Sequence, residues 1–296
     1  MRIGILTSGG DCPGINATIR GVCKTAINYY GMEVVGIHSG FQGLLTKDVE
    51  SITDKSLSGL LNLGGTMLGT SREKPFKKGG VVSDVDKPSL ILQNIHEIGL
   101  DCVVCIGGNG TQKTAAKFVA MGVNIVSVPK TIDNDLMGTD HTPGFGSAAK
   151  YVAASILEVV HDSLIYQLQS VTIIEIMGRN AGWLTAAAAL ARNEYNVAPD
   201  LIYLPEVVFD KDKFLADIHE VMKRKRCVVI AVSEGIRDQN GHFLDDDSKY
   251  AKKDAFGHVL HSGTGKLLES LVFKEFGCKV RSIELNVLQR CAMHIA

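Results

Sequence analysis

Two aspartates stand two residues apart in the segment 129–135, which reads Pro-Lys-Thr-Ile-Asp-Asn-Asp. The run before it, 124–128, is short, apolar and rich in β-branched residues, which predicts a buried strand that Pro129 ends. Parallel sheets bind their ligands at the carboxyl ends of their strands. The spacing therefore predicts a catalytic loop in which Asp133 accepts a proton and Asp135 holds or orients a metal-bound water.

Two glycine-rich segments follow predicted strands in the same way. The strand 2–6 runs into residues 7–14, and the strand 102–106 runs into Gly107–Thr111. Glycine lets the backbone approach a phosphate closely, and the helix N-terminus that follows adds a partial positive charge. Each loop taken alone is equally compatible with a purely steric turn. Two of them in one chain indicate a phosphate-rich substrate.

Phosphoryl transfer to a hydroxyl group would use these residues together. That reaction needs a carboxylate to accept the hydroxyl proton, cations to neutralise the transferred group and a cradle for the donor. Asp133 supplies the carboxylate, and the Thr131 hydroxyl can donate to the transferred group. The competing interpretation is that Asp133 and Asp135 only cap the loop as Asx-turn residues.

Five segments, taken in chain order, resemble motifs of the phosphofructokinase family: 7–17, 64–72, 107–111, 129–135 and 177–179. The resemblance extends from residue 2 to about residue 290. It implies two doubly wound, Rossmann-like α/β domains with largely parallel sheets. It also implies a glycolytic kinase that transfers a phosphoryl group from ATP or pyrophosphate to fructose 6-phosphate or a related sugar phosphate, with Mg²⁺ as cofactor.

The resemblance assigns roles to individual residues. Asp133 is similar to the base that activates the sugar hydroxyl, and Thr131 and Arg179 are implied as further catalytic residues. The implied donor-phosphate residues are Gly10, Arg72, Gly108, Asn109, Gly110, Thr111 and Lys130. The implied sugar-phosphate residues are Thr131, Asp133, Met177, Gly178, Arg179, Glu234, Arg281 and Arg290. Asn109 and Asp135 are the implied metal residues.

The identity of the phosphoryl donor depends on two positions. In this family, an aspartate in the glycine turn together with a lysine before Thr-Ile-Asp-Asn-Asp accompanies pyrophosphate use, whereas glycines at both places accompany ATP use. This chain combines Gly110 with Lys130. Gly110 leaves room for a nucleotide, and Lys130 adds a charge without excluding one, so sterics favour ATP and leave pyrophosphate as the alternative.

Several positions depart from the family pattern. Asn109 replaces the aspartate of a Gly-Gly-Asp-Gly turn, which removes a carboxylate that would help to hold Mg²⁺. Ser170 stands where the family commonly has an arginine that reaches a neighbouring subunit's sugar phosphate, and Val287 replaces a histidine. The segment 290–292 reads Arg-Cys-Ala in place of Arg-Gly-Gly. These changes predict an altered sugar pocket.

Two other functions stay open. Kinases of the NAD-kinase or lipid-kinase type have a turn similar to Gly107–Thr111, but they lack the loop 131–135 in this setting. A non-catalytic sensor of sugar phosphate or nucleotide would retain the fold, and the altered Asn109, Ser170 and Val287 favour it. The intact Asp133 argues against the sensor.

Composition indicates a soluble cytoplasmic enzyme. The chain has 296 residues and a formal net charge of −1, which gives no electrostatic reason to expect a nucleic-acid partner. No apolar run approaches membrane-spanning length, so no membrane association is expected. Cys102 and Cys105 have the C-x-x-C spacing, but residues three apart on a strand face opposite sides, which predicts core thiols.

Along the sequence, short apolar runs alternate with amphipathic stretches of helical period. This alternation of strands and helices, which must position the residues above, predicts a doubly wound α/β pattern. We expect a donor-phosphate domain over 1–145, a sugar-phosphate domain over 146–288 and a return to the first domain over 289–296. The resemblance implies a homo-oligomer, either a dimer or a tetramer. Strands are predicted at 2–7, 33–38, 102–106, 124–128, 171–177, 200–204, 227–233 and 280–286, and helices at 14–29, 88–98, 112–120, 146–164, 181–191, 211–224 and 264–276.

Overall fold

Contacts within the computed structural model divide the chain into two compact units. The structure describes residues 1–77, 86–165, 167–244, 252–253, 259–260, 263–291 and 293. The first unit comprises Met1–Ile132, Leu136–Ser147 and Arg290–Ala296, and the second comprises Asp133–Asp135 and Ala148–Gln289. No helix of the described residues is both long enough and apolar enough to cross a membrane.

The first unit is built on a five-stranded sheet. Its strands are β1 (Arg2–Ser8), β2 (Glu33–Ile37), β3 (Val49–Ile52), β4 (Cys102–Gly107) and β5 (Ile125–Pro129). Their order in the sheet is β3-β2-β1-β4-β5. All neighbours are parallel except β3, which is antiparallel to β2. The chain leaves β1 toward one edge and β4 toward the other. The carboxyl ends of these two strands therefore form the switch point at which such sheets bind ligands.

Among the residues that the structure describes, four α-helices connect these strands: α1 (Ile15–Tyr30), α2 (Phe41–Thr46), α3 (Lys87–Ile98) and α4 (Asn109–Ala120). Apolar side chains of α2, α3 and α4 pack with β4 in one core cluster. The rings of Phe41 and Phe118 stack there with their centroids 5.8 Å apart. Cys102 and Cys105 are buried, free thiols of β4, as the strand alternation predicted.

The strand before the catalytic loop differs from the prediction. We expected 124–128 to be a buried strand ended by Pro129, but β5 is the edge strand of its sheet and includes Pro129. Val126 is 54% exposed. An edge strand has a single neighbour, so a run of β-branched residues can be exposed, and a proline without an N–H is tolerated at its end.

The second unit carries a four-stranded parallel sheet. Its strands are β6 (Ser170–Ile176), β7 (Leu201–Tyr203), β8 (Cys227–Ser233) and β11 (Lys279–Glu284), in the order β11-β6-β8-β7. β9 (Lys252–Lys253) pairs with β10 (Val259–Leu260) in a separate short ladder. β6 and β8 are buried along their whole length. Such strands read as continuous apolar runs, which is why the sequence predicted them well.

The remaining helices are α5 (Phe145–Ile165), α6 (Trp183–Ala187), α7 (Lys211–Met222), α8 (Thr264–Phe276) and α9 (Leu288–Cys291). A 3₁₀ turn, Ala188–Ala191, follows α6, so the predicted helix 181–191 is two shorter pieces. Phe214 of α7 packs on Tyr203 of β7 with ring centroids 5.2 Å apart. The predicted α/β class with mainly parallel sheets is confirmed.

Candidate active site

The loop after β1 is held by the segment 69–71. The Gly9 N–H donates to the Ser71 carbonyl at 3.1 Å, and the Thr70 hydroxyl donates to the Gly9 carbonyl at 2.6 Å. The Ser71 hydroxyl in turn donates to the Ser39 carbonyl at 2.6 Å. Gly9 has a φ of 93°, which favours glycine. Both backbone groups of Gly9 are therefore hydrogen-bonded to the segment 69–71, which fixes this part of the first predicted phosphate loop.

The second predicted phosphate loop is the start of a helix. We expected the helix to begin at residue 112, but α4 begins at Asn109 after the N-cap Gly108. The Thr111 side chain fills the space that a Cβ at Gly107 would need, with its Oγ1 only 2.3 Å from that position. The Thr111 hydroxyl also donates to the Ser8 carbonyl at 3.2 Å. The first-turn N–H groups thus lie at the switch point, where a helix N-terminus attracts phosphate.

Lys130 and Arg290 both lie beside the first loop. Lys130 is 4% exposed, and its Nζ donates to the Gly10 carbonyl. The Arg290 Nη1 lies 4.0 Å from the position that a Cβ at Gly10 would occupy. The structure thus places Arg290, a predicted sugar-phosphate residue, in the first unit next to predicted donor residues. Two cations at one glycine loop suit a polyanionic donor.

Cys12 belongs to the same loop, and its side chain is buried and has no catalytic character. Burial raises the pKa of its thiol to about 12, although the Lys130 ammonium opposes that shift. The thiol therefore stays protonated at neutral pH and is not a nucleophile. A Cβ at Gly144 would lie 2.6 Å from the Cys12 Sγ, so the thiol fills the space that this glycine leaves.

Buried and more accessible residues alternate along the loop that carries the two aspartates. Ile132 and Asn134 are 5% and 8% exposed, Asp133 is half-buried and Asp135 is exposed. Asn134 has a φ of 54°, a left-handed conformation that asparagine tolerates. Thr131, at the start of the loop, forms a β-bridge with Gly144, and its carbonyl accepts a 2.7 Å hydrogen bond from the Thr142 hydroxyl.

A buried ion pair lies next to Arg72. The Lys87 Nζ, at the start of α3, is 2.7 Å from a Glu73 carboxylate oxygen, and the two side chains are only 3% and 6% exposed. Arg72 itself is exposed on the segment that this pair anchors. The pair could not be predicted from the sequence, because its partners lie fourteen residues apart and face each other only in the folded chain.

In the second unit, the predicted sugar residues meet where β6 and β8 end. The Gly178 N–H donates to the Glu234 carboxylate at 3.2 Å, and the Met177 N–H donates to the Gln289 side chain at 3.1 Å. A Cβ at Gly235 would lie 2.0 Å from the Arg179 carbonyl oxygen. The two loops therefore pack backbone against backbone, which only glycine permits.

Arg179 lies next to an aromatic ring and near a second arginine, and the sequence predicted neither neighbour. Its guanidinium carbon lies 5.0 Å from the centroid of the Phe243 ring, and that of Arg237 lies 4.2 Å from the same centroid. The Arg237 Nη2 also donates to the Asn180 side chain at 2.7 Å. The polar segment after β8 therefore reaches the loop that carries Arg179.

Other predicted sugar residues lie apart from this loop within the chain. Arg281 pairs with Thr172 in the β11–β6 ladder, four residues before the end of β6 at Ile176, and its guanidinium donates to Asp162 at 2.6 Å. Ser170 is buried at the opposite end of β6. Val287 is 56% exposed. Within one chain, Arg281 and Ser170 therefore lie away from Met177–Arg179.

The two predicted metal residues are both exposed. Asn109 lies at the N-terminus of α4, and Asp135 ends the catalytic loop. Within the ranges that the structure describes, no group of three or more His, Cys, Asp or Glu side chains is arranged to hold a metal ion. Mg²⁺ takes one or two protein oxygens and completes its shell with substrate phosphates and water. The residues present fit a metal that arrives with the donor.

Comparisons with known proteins agree on one family. The family model described as phosphofructokinase matches residues 2–290. The chain is 59% identical over 274 residues to ATP-dependent 6-phosphofructokinase 3 of Bacteroides thetaiotaomicron, covering 89% of this chain and 80% of that protein. It is 38% identical to pyrophosphate–fructose 6-phosphate 1-phosphotransferase of Dictyoglomus thermophilum, covering 98% of this chain and 80% of that protein.

Solved structures give the same result for the fold. The pyrophosphate-dependent phosphofructokinase of Nitrosospira multiformis superimposes with a TM-score of 0.83 at 29% identity, over 100% of this chain and 71% of that chain. The corresponding enzyme of Marinobacter aquaeolei gives a TM-score of 0.82 with the same identity and coverage.

Proposed function

The chain belongs to the phosphofructokinase family, and on that basis we propose that it is an ATP-dependent kinase that phosphorylates fructose 6-phosphate or a closely related sugar phosphate. Donor phosphates bind the glycine loops of the first unit, with Arg72 and Lys130. The sugar phosphate binds Met177–Arg179 and Glu234 in the second unit.

The loop at the end of β5 carries this proposal. Asp133 is half-buried between the buried Ile132 and Asn134, so its carboxylate remains partly accessible. It accepts the proton of the attacking sugar hydroxyl as that oxygen bonds to the terminal phosphorus of the donor. The Thr131 hydroxyl and the Arg179 guanidinium stabilise charge on the transferred group.

ATP is the favoured donor for a steric reason. Apart from the neighbouring backbone of α4, no described atom lies within 4 Å of a Cβ built at Gly110, so no other group fills the space beside the start of this helix. Lys130 is buried and bonded to the Gly10 carbonyl, which adds positive charge without filling that space. The relative from Bacteroides thetaiotaomicron, which is named as ATP-dependent, supports the same donor.

Mg²⁺ would neutralise charge on the donor phosphates, with Asn109 and Asp135 contributing oxygens directly or through water. Because Asn109 is neutral, we expect the protein without nucleotide to bind Mg²⁺ weakly. Calorimetric titration of Mg²⁺ into the nucleotide-free protein checks this. Tight binding there, at micromolar Mg²⁺, would contradict a metal held mainly by the donor.

A homo-oligomer would give Arg281 a role. Its position within β11, away from Met177–Arg179 of its own chain, supports a contact with the sugar phosphate bound by a second copy. Exposed apolar side chains on the second unit support such a contact, since Trp183, Leu190 and Tyr195 are 56%, 70% and 90% exposed. Light scattering in solution should give a dimer or tetramer, and a monomer would refute this assignment of Arg281.

An assay that crosses donors with acceptors tests the proposed function. The purified protein is incubated with ATP or pyrophosphate and with a panel of ketose and aldose phosphates. We expect turnover with ATP and fructose 6-phosphate or a close relative, and much less with pyrophosphate. Binding of sugar phosphate without turnover with any donor would instead support the non-catalytic sensor. The similar proteins are named as enzymes, which favours the kinase over the sensor.

A further inference from the structure

Glu234, the first residue after β8, is bonded through its main chain as well as its side chain. Its N–H donates to the Ile176 carbonyl at 2.9 Å, and its carboxylate accepts from the Gly178 N–H at 3.2 Å. Its carbonyl accepts from the Thr264 hydroxyl at 3.3 Å. Thr264 is the first residue of α8, so a helix distant in sequence takes part in fixing a predicted sugar-phosphate residue.

A buried carboxylate anchors the first turn of α8. Glu175, the penultimate residue of β6, is 5% exposed, and its Oε2 accepts from the Gly265 N–H at 2.7 Å. A carboxylate at a helix N-terminus forms a charge-assisted bond and also interacts favourably with the helix dipole. A Cβ at Gly265 would lie 3.1 Å from the same oxygen and 3.5 Å from the Ser282 Cβ. The turn therefore packs closely on β6 and β11.

These two contacts are joined directly in the chain. Thr264 precedes Gly265 and its side chain is 0% exposed, so any movement of the first turn of α8 carries the Thr264 hydroxyl with it. That hydroxyl is already 3.3 Å from the Glu234 carbonyl oxygen, so a small movement away would break the bond. The bond from Gly265 to Glu175 is the shorter and more buried of the two, and it sets the position of the other.

We propose that Glu175 and Thr264 are positioning residues of the sugar-phosphate site. Glu175 fixes the first turn of α8, and Thr264 transmits that position to Glu234. This deepens the proposed function and rests on it, because the ligand of Glu234 is the sugar phosphate. Both side chains are buried, so they act on sugar affinity through Glu234 and leave the transfer step itself unchanged.

Thr264→Val tests the proposal, because it removes the hydroxyl and keeps the shape of the side chain. The Kd from calorimetric titration of fructose 6-phosphate, and the KM, should rise about 3- to 10-fold. The donor KM and kcat should stay within about twofold. Thr264→Ser keeps the hydroxyl and should recover most of the affinity.

Thr185→Val is the matched control. Thr185 is also 0% exposed, and its hydroxyl has no hydrogen-bond partner among the residues that the structure describes. Removing that hydroxyl should leave the Kd, KM and kcat unchanged.

Variants of Glu175 test the anchor. Glu175→Gln keeps an oxygen that can accept from the Gly265 N–H, whereas Glu175→Met removes it at similar side-chain length. E175M should raise the Kd for fructose 6-phosphate at least 3-fold, and E175Q should raise it less. Adding T264V to E175M should raise the Kd no further, because both changes break the same link. If E175M does not fold, the comparison of T264V with T264S still decides the proposal.

A Glu234→Ala background separates positioning from a general loosening of the second unit. E234A should itself raise the Kd for fructose 6-phosphate, and T264V should then have no further effect, because the side chain that it positions is absent. An effect that spreads through the unit would instead add to that of E234A, and this result would contradict the proposal.

The outcomes distinguish this inference from the function on which it rests. If the unaltered chain phosphorylates fructose 6-phosphate and T264V keeps its sugar affinity, the positioning role is wrong and the proposed function stands. The same conclusion follows if T264V lowers kcat and leaves KM unchanged. If the unaltered chain neither binds nor phosphorylates a sugar phosphate, the proposed function fails and the positioning role fails with it.

Discussion

At the scale of single residues, Gly110 is the position that should decide the donor. It lies in the first turn of α4, and the described atoms leave open space around a Cβ built there. Gly110→Asp should therefore fold normally, because an acidic residue is favourable in a first helical turn. Its charge should depress kcat/KM for ATP at least tenfold more than for pyrophosphate.

The control for this prediction is Gly110→Ala, which adds a methyl group without charge. It should keep most of the ATP activity. A ratio of ATP to pyrophosphate activity that is the same in all three proteins would show that Gly110 lies away from the donor.

At the scale of elements, the packing of the loop 177–179 against the loop after β8 depends on Gly235. A Cβ there would lie 2.0 Å from the Arg179 carbonyl oxygen, so Gly235→Ala must displace one of the two loops. We expect KM for fructose 6-phosphate to rise about tenfold or more, since small misplacements of binding groups are costly. Steady-state kinetics with varied sugar phosphate provide the measurement.

Gly21→Ala is the matched control. Gly21 lies inside α1, and no described atom is within 4 Å of its Cβ position, so alanine should leave KM unchanged and stabilise the helix slightly. Equal kinetics for G235A and G21A would contradict the backbone-to-backbone packing.

The buried pair Lys87–Glu73 should hold the segment of Arg72 against α3. Lys87→Met leaves a carboxylate buried without its partner, which should lower the free energy of unfolding by about 3–5 kcal/mol. Denaturant unfolding followed by circular dichroism measures this. Lys213 forms an ion pair with Asp217, and the Lys213 side chain is 70% exposed. Lys213→Met should therefore lower the free energy of unfolding by about 0.5 kcal/mol or less. Similar losses in the two variants would show that burial does not set the strength of the Lys87 pair.

The elements themselves were largely predictable because buried parallel strands are continuous apolar runs. β4, β6 and β8 were found within one residue at each end. The antiparallel β3 and the short α2 were missed, since neither has a long periodic pattern. The start of α4 was placed too late because glycine at residue 110 reads as a turn, although tertiary packing holds it in a helix.

At the scale of the whole molecule, sequence motifs predicted the family, which the comparisons confirm. The family could be predicted because each motif is a short local segment and because the motifs follow one another along the chain in the family's order. The stack of Arg179, Phe243 and Arg237 could not be predicted, since it joins residues that meet only when two loops fold together. The position of β5 at an edge is likewise a property of the sheet, and a run of apolar residues does not encode it.

The central claim is that Asp133 is the general base of a sugar-phosphate kinase, and turnover by Asp133→Asn tests it most directly. Asparagine keeps the shape of the side chain but cannot accept the proton. With ATP and the best sugar phosphate, kcat should fall about 100-fold or more while KM for the sugar changes little. Asp212→Asn, at an exposed aspartate of α7, should retain full activity. Near-normal turnover by D133N, in a protein whose D212N control is also active, would contradict the account.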